Sequence, residues 1–174
     1  MTKTELFRIN GWLIVAHDLF LDQVEAMITA VIKDKARNPT TYKTRRAAKM
    51  LAAVARLAFQ EIPEDPARDT YQQGNTLGEE HRHWRRAKFY QQCRLFFRYR
   101  GEEDGRKVIA YGWVNDQDTK RAYGSKTDAY AIFRRMLGDG NPPDDWVKLK
   151  AACETVDEKR LTKIVDDAKG LIGP

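Results

Sequence analysis

The chain has 174 residues, of which 42% are hydrophobic and 32% charged, so it can form one ordinary domain with a packed core, and wholesale disorder is excluded. No apolar run approaches the ~18 residues of a membrane span, and the two cysteines show neither a disulfide-framework nor a zinc-knuckle pattern, so we expect a cytoplasmic protein that does not contact membranes. Residues 81–135 carry 14 Lys and Arg against 6 Asp and Glu, whereas residues 1–80 carry 11 of each, which indicates either a polyanionic partner such as nucleic acid or a solvated basic surface.

Two helices are predicted in the first third of the chain. The first begins at His17 or Asp18, either of which can cap it, and runs to about Arg37, because apolar residues recur at spacings of three and four. A second helix is predicted over residues 40–62, and the short connection favours an antiparallel pair. Before them, the fragment INGW predicts a turn, with Gly11 permitting a tight bend.

Three strands are predicted after a loop rich in Pro and Gly, because the hydrophobic period changes there from about 3.6 residues to about 2. They are expected at Trp84–Tyr90, Cys93–Arg100 and Lys107–Val114. A fourth strand near Gln72–Leu77 is only weakly indicated. The short polar connections are typical of antiparallel hairpins.

Helices are predicted again toward the C-terminus. One begins at Thr127 as its N-cap, and another begins at about Asp144, whereas the charged tail after Thr155 is expected to fray. The predicted fold is therefore α+β, with an N-terminal helix pair packed on an antiparallel sheet of three to four strands and followed by C-terminal helices. We expect a domain at residues 1–155 and a charged extension at 156–174.

The predicted strands place their basic side chains on one face of the sheet. Arg94, Arg98 and Arg100 alternate with apolar residues on one strand, and Arg86 and Lys88 share a face of its neighbour. If the apolar faces pack on the helices, the other face is cationic and suited to a phosphate backbone. Phe96 is expected to be exposed among these arginines, where it could stack on a base. The alternative is that alternation simply keeps one face of a half-buried sheet in water.

The acidic residues of this block form no pair suited to Mg²⁺. His81 and His83 form an H-x-H pair, which could be a fragment of a zinc site, but no third ligand is evident. We therefore predict no metal and no cofactor. A metal-independent ribonuclease can use the 2′-OH of its substrate to attack the adjacent phosphate. Lys88 is a candidate base, because neighbouring arginines are expected to lower its pKa, and Arg94 and Arg98 are candidates for stabilising the phosphate.

Several segments resemble a known family in the order in which they occur. The family is that of the YhaV toxins, type II toxins of the RelE-like superfamily of small ribonucleases, and the similar segments are INGW, YQQGNTLG, AKFYQQCRLFFRYR, YGWVNDQDTKRAYGSKTDAYAIFRRML and NPPDDW. The resemblance covers about residues 9–147. It implies a RelE-like fold and mRNA cleavage that blocks translation, in association with the ribosome. It also implies an antitoxin similar to PrlF, with an AbrB-like DNA-binding fold, and repression of the operon by the complex.

The resemblance also implies site residues. Arg86, Lys88, Arg94 and Arg98 fall where such toxins keep catalytic basic residues, and Tyr130 falls where relatives place a functional Tyr. With Phe96, the predicted RNA-binding set is Arg100, Arg121, Tyr123 and Lys126. The competing interpretations are core packing for Tyr130 and a solvated loop for Arg121 and Lys126. Two alternatives remain for the function of the whole chain. It could be a non-catalytic module that binds RNA or the ribosome, or an inactive relative of the toxins that is kept for complex assembly.

Overall fold

Five strands form one mixed sheet in the computed structural model, which describes residues 7–103, 106–116, 125–126 and 128–173. The order across the sheet is β1-β2-β5-β4-β3. The strands are β1 (Arg8–Ile9), β2 (Trp12–Ala16), β3 (Arg85–Phe89), β4 (Cys93–Glu103) and β5 (Arg106–Val114).

The predicted meander is confirmed as β3-β4-β5, but the prediction of a purely antiparallel sheet of three to four strands is wrong. The segment before His17 forms two further strands, and β2 pairs with β5 in parallel. The turn predicted at INGW joins them, with Asn10 and Gly11 at φ values of 51° and 82°. Strand β2 was not predicted, because its run of five apolar residues is too short to show whether it is a strand or a helix. The weakly indicated fourth strand is reduced to one bridge between Gln72 and Arg85.

The helices confirm the α+β class and are compatible with the RelE-like fold that the resemblance implied. They are α1 (Asp18–Arg37), α2 (Arg46–Arg56), α3 (Ile62–Glu64), α4 (Ala129–Gly138), α5 (Trp146–Glu154) and α6 (Glu158–Ile172). A π-helical turn at Leu57–Glu61 joins α2 to α3, so the second predicted helix is nearly continuous. Within the described residues, no helix combines the length and apolar character that crossing a membrane requires.

The caps of α1 and α4 test two sequence predictions. His17 caps α1, since its Nδ1 accepts a hydrogen bond from the Leu19 amide at 3.1 Å. At α4 the cap is Asp128, whose carboxylate accepts hydrogen bonds from the amides of Tyr130 and Ala131. The prediction of Thr127 is therefore wrong about which side chain caps this helix; Thr127 itself lies outside the described residues.

Both faces of the sheet carry a hydrophobic core. On one face, Leu95 and Phe97 of β4 pack with buried residues of α1, α2 and α6. On the other, Phe96 packs with residues of α4 and α5, including Phe133 and Trp146. The alternation predicted along β4 is confirmed, but the expectation that its basic face is open to solvent is wrong, because α4 and α5 cover much of that face.

The segment after Thr155 is an ordered part of the fold, so the prediction that it frays is wrong. Five apolar side chains of α6 are buried and recur at helical spacing. Arg160 adds ion pairs to Asp18, Asp22 and Glu25 of α1. Charged residues dominate the sequence of this segment, but its narrow apolar stripe is enough to pack α6 on α1 and α2.

Candidate active site

Three of the predicted site residues meet at one point. Arg86 of β3 and Arg94 of β4 each donate a hydrogen bond through Nε to the hydroxyl oxygen of Tyr130, at 3.0 and 3.2 Å. The guanidinium of Arg94 also lies over the Tyr130 ring, 5.8 Å from its centroid. We call these residues the arginine–tyrosine cluster.

Hydrogen bonds between polar side chains and the backbone fix two members of the cluster, Arg94 and Tyr130. Arg94 is held at the start of β4 by the buried side chain of Asn115, which accepts from the Arg94 amide at 2.7 Å and donates to the Gln92 carbonyl at 3.0 Å. The Asp128 cap places Tyr130 in the first turn of α4. Asn115 was missed as a site residue, although a buried amide directly after a strand often positions neighbouring backbone.

The two arginines make the cluster cationic, and among the described residues neither Arg86 nor Arg94 forms an ion pair with a carboxylate. Arg86 donates instead to the Thr70 carbonyl at 2.6 Å, and Arg94 to the carbonyls of Gln91 and Cys93. Neutral carbonyls satisfy N–H groups without cancelling the positive charge, so the arrangement favours an external anion such as a phosphate.

Lys88 is the exposed neighbour of this cluster. In the register of β3 and β4 it lies directly opposite Arg94, two residues along the strand from Arg86. Side chains opposite each other on antiparallel strands share a face and are about 5 Å apart at Cβ. Lys88 and Arg94 therefore share one face of the sheet.

Arg98 and Arg100 belong to a different environment. Arg98 is four residues from Arg94 along β4, about 13 Å for an extended strand. Its guanidinium lies over the rings of Trp84 and Trp146 and donates to the Asp144 carbonyl at 2.5 Å, and Arg100 also lies over Trp146. Burial lowers the pKa of Arg98 to about 10, so it remains charged at neutral pH. The predicted catalytic set is thus divided into two groups.

Phe96 separates these two groups, and its predicted exposure is wrong. Its side chain is 0% exposed and stacks against Phe133, with ring centroids 4.2 Å apart. It also contacts the Tyr130 ring edge-on. In this position Phe96 supports the cluster from within the core and cannot stack on a base.

The remaining predicted RNA-binding residues lie around the segment that precedes α4. Lys126 is exposed, and its carbonyl accepts a hydrogen bond from Arg135. Arg121 and Tyr123 lie outside the described residues. Of these three residues, the structure therefore describes only Lys126.

A second cluster of polar side chains surrounds Asp144, and the sequence indicated only part of it. The rings of His81 and His83 both contact Asp144 Oδ1, at 2.9 and 2.8 Å, and Trp84 donates to the same oxygen at 2.9 Å. The H-x-H pair indicated two of these residues. The third is about 60 positions away, directly before α5, and only the fold brings it close.

The comparisons with known proteins agree with the resemblance. Residues 14–154 match the family model of YhaV, described as a toxin with endonuclease activity, of toxin–antitoxin system. Toxin YhaV of Escherichia coli O6:H1 and Ribonuclease toxin YhaV of Escherichia coli K12 are each 40% identical over 149 residues, covering 84% of this chain and 95% of the relative. No solved structure matches the chain.

Proposed function

The chain belongs to the YhaV family of toxins with endonuclease activity from toxin–antitoxin systems, and we propose that it cleaves mRNA without a metal ion, at the arginine–tyrosine cluster. The observation that carries this proposal is the convergence of Arg86 and Arg94 on the Tyr130 hydroxyl, with no carboxylate paired to either guanidinium among the described residues. The printed name of the K12 relative supports RNA as the substrate.

The proposed reaction is attack of a 2′-OH on the adjacent phosphorus. Lys88 accepts the 2′-OH proton, while Arg86 and Arg94 stabilise the charge that develops on the non-bridging oxygens. The P–O5′ bond then breaks, and the leaving oxygen takes a proton, for which the Tyr130 hydroxyl is the candidate donor. The products are a 2′,3′-cyclic phosphate and a 5′-OH, so neither water nor an oxidant is consumed.

Arg98 and Arg100 have a different role in this proposal. Arg98 and Arg100 follow Arg94 by four and six residues along β4, which is about 13 Å or more of extended backbone. They are therefore suited to contacts with phosphates that flank the scissile one. Lys126, Arg121 and Tyr123 complete the proposed RNA contacts.

The cellular part of the proposal rests on membership of a toxin–antitoxin family. We propose that cleavage occurs on the ribosome in the cytoplasm and inhibits translation and growth. A PrlF-like antitoxin with an AbrB-like fold neutralises the toxin, and the complex represses its own operon by binding operator DNA through the antitoxin. The positive charge of Arg86 and Arg94 supports such a partner, because an acidic antitoxin segment would bind there.

The test uses purified chain, a defined RNA and excess EDTA, with and without ribosomes. Wild type is expected to release 2′,3′-cyclic phosphate ends, and Arg94→Ala to lower kcat/KM by about 10²–10³-fold, the usual cost of removing one group that stabilises developing negative charge. Arg37→Ala, at the exposed end of α1, is the matched control and should retain full activity. RNA binding without cyclic-phosphate ends under every condition would instead support the non-catalytic binding module.

A further inference from the structure

Three potential metal ligands converge from two distant parts of the chain. One ligand atom each of His81, His83 and Asp144 lie within 4.8 Å of one another. His81 ends a 3₁₀ turn, His83 lies just before β3, and Asp144 lies just before α5. We propose that these three residues bind a divalent transition metal ion, for which Zn²⁺ is the best match.

The donor set and its spacing suit Zn²⁺. Two imidazole nitrogens and one carboxylate oxygen are a common set of three protein ligands for zinc, with water in the fourth position. Ligands at about 2.1 Å from a tetrahedral ion lie about 3.4 Å apart. The two nitrogen–oxygen distances, 2.9 and 2.8 Å, need to grow by only about half an ångström to reach that value. The two imidazole nitrogens, which lie within 4.8 Å of each other, must also reach that spacing, and the partly exposed side chains of His83 and Asp144 have room to rotate.

The groups around these ligands are those that support metal sites elsewhere. A metal-bound imidazole usually has a carboxylate or carbonyl at its other nitrogen, and Glu80 Oε1 lies 3.8 Å from His81 Nε2 while Nδ1 faces Asp144. The indole N–H of Trp84 donates to the Asp144 carboxylate and orients it. The side chain of His83 is 37% exposed, which leaves a path for the ion from solvent.

Without metal, the same residues are held by hydrogen bonds to Asp144, which requires each imidazole to carry a proton on the nitrogen that faces the carboxylate. Metal binding replaces those two protons. The Arg98 guanidinium at the Asp144 carbonyl opposes a second positive charge, so the affinity is expected to be lower than at a cysteine-rich site. A bound ion would tie the start of β3 to the start of α5, and so fix Trp146 against Arg98.

The test is a titration of the full-length chain, stripped with EDTA and dialysed, with ZnCl₂ in a calorimeter at neutral pH. We expect one ion per chain and an increase in melting temperature. His83→Gln and Asp144→Asn should each weaken binding by at least ~10-fold, since even the loss of an outer-shell partner costs that much. His17→Asn is the matched control, because Asn retains a capping oxygen for α1. Circular dichroism establishes that each variant is folded.

Cobalt provides an independent measurement on the same protein. Co²⁺ at a tetrahedral site with nitrogen and oxygen ligands should give intense visible absorption that is lost in His83→Gln and kept in His17→Asn. Less than a fifth of an equivalent of Zn²⁺ bound by wild type, or equal affinity in wild type and His83→Gln, would overturn the proposal. The readouts are independent of RNA cleavage, which is expected to persist in EDTA, so the failure of one proposal leaves the other standing.

Discussion

Arg86 and Arg94, on neighbouring strands, direct their Nε atoms at a single oxygen atom, the hydroxyl of Tyr130. Two like charges are thereby held close together without a carboxylate between them in the described part of the chain. Two adjacent guanidinium groups repel each other, and an anion that binds between them would relieve that repulsion.

Tyr130→Phe tests the role of the shared hydroxyl. The ring should keep its contacts with Phe96, but two guanidinium N–H groups lose their acceptor. We expect kcat to fall by about 10²-fold or more, the usual contribution of a positioned proton donor. The free energy of unfolding should fall by about 1–3 kcal/mol, because Arg94 is buried. Single-turnover cleavage and urea unfolding measure the two effects.

The control for that substitution is Tyr90→Phe. The Tyr90 hydroxyl donates to the Lys49 carbonyl at an exposed position, away from the cluster. The catalytic assignment of Tyr130 would be contradicted if Tyr130→Phe cleaved RNA as fast as wild type. It would also be contradicted if Tyr90→Phe lost as much of its kcat as Tyr130→Phe.

Gly112→Ala tests the packing on the face of the sheet that carries Trp84, Phe96 and Tyr130. A Cβ at residue 112 would lie 2.7 Å from a ring carbon of Trp84, and the ring is fully buried and cannot move away. We expect a loss of about 1–3 kcal/mol in unfolding free energy, the usual cost of overpacking. Gly101→Ala is the control, since a Cβ there meets nothing within 4 Å. Equal urea midpoints for the two variants would show that Trp84 adapts.

His17 makes stability depend on pH. Burial lowers its pKa below the ordinary value of 6.5, and the carboxylates of Asp18 and Asp22, which pair with Arg160 of α6, only partly offset this. Because the pKa of His17 is lower in the folded than in the unfolded state, the neutral imidazole favours the folded state fully at pH values above 6.5. This contribution to stability decreases as the pH falls from 6.5 toward the pKa of the folded state. Protonation would also remove the Nδ1 acceptor that caps α1.

The measurement is the stability of wild type relative to His17→Asn between pH 7.5 and 5. Asn caps the helix without titrating, so wild type should lose stability relative to the variant as the pH decreases. A difference that stays constant with pH would contradict the assignment.

Ile164→Ala tests whether α6 is part of the cooperative fold. Ile164 is 2% exposed in the core shared with α1 and α2. Truncation should cost about 2–4 kcal/mol, as for other buried aliphatic side chains. Thr162→Ala, on the exposed side of α6, should change stability by less than about 0.5 kcal/mol. Cleavage activity of both variants at low temperature should match wild type, because α6 packs on the opposite face from Tyr130.

Local sequence patterns were sufficient to predict most of the helices and strands and which side chains share a face of β4. The period-two alternation of residues 93–100 determined which side chains share a face, because side chains of a strand point alternately to its two sides. Helical periodicity located α1 and α4, and the basic block located Arg86, Lys88 and Arg94. These features depend on residues within a few positions of one another.

What covers each face was decided by tertiary structure alone. Alternation cannot distinguish a face that meets water from one that meets another helix, so the burial of Phe96 under α4 was not predictable. The pairing of β2 with β5 joins segments almost 100 residues apart, and the meeting of His81 with Asp144 spans 63. Such contacts arise from the packing of the whole chain, because no local pattern carries information about which distant segment will lie beside it.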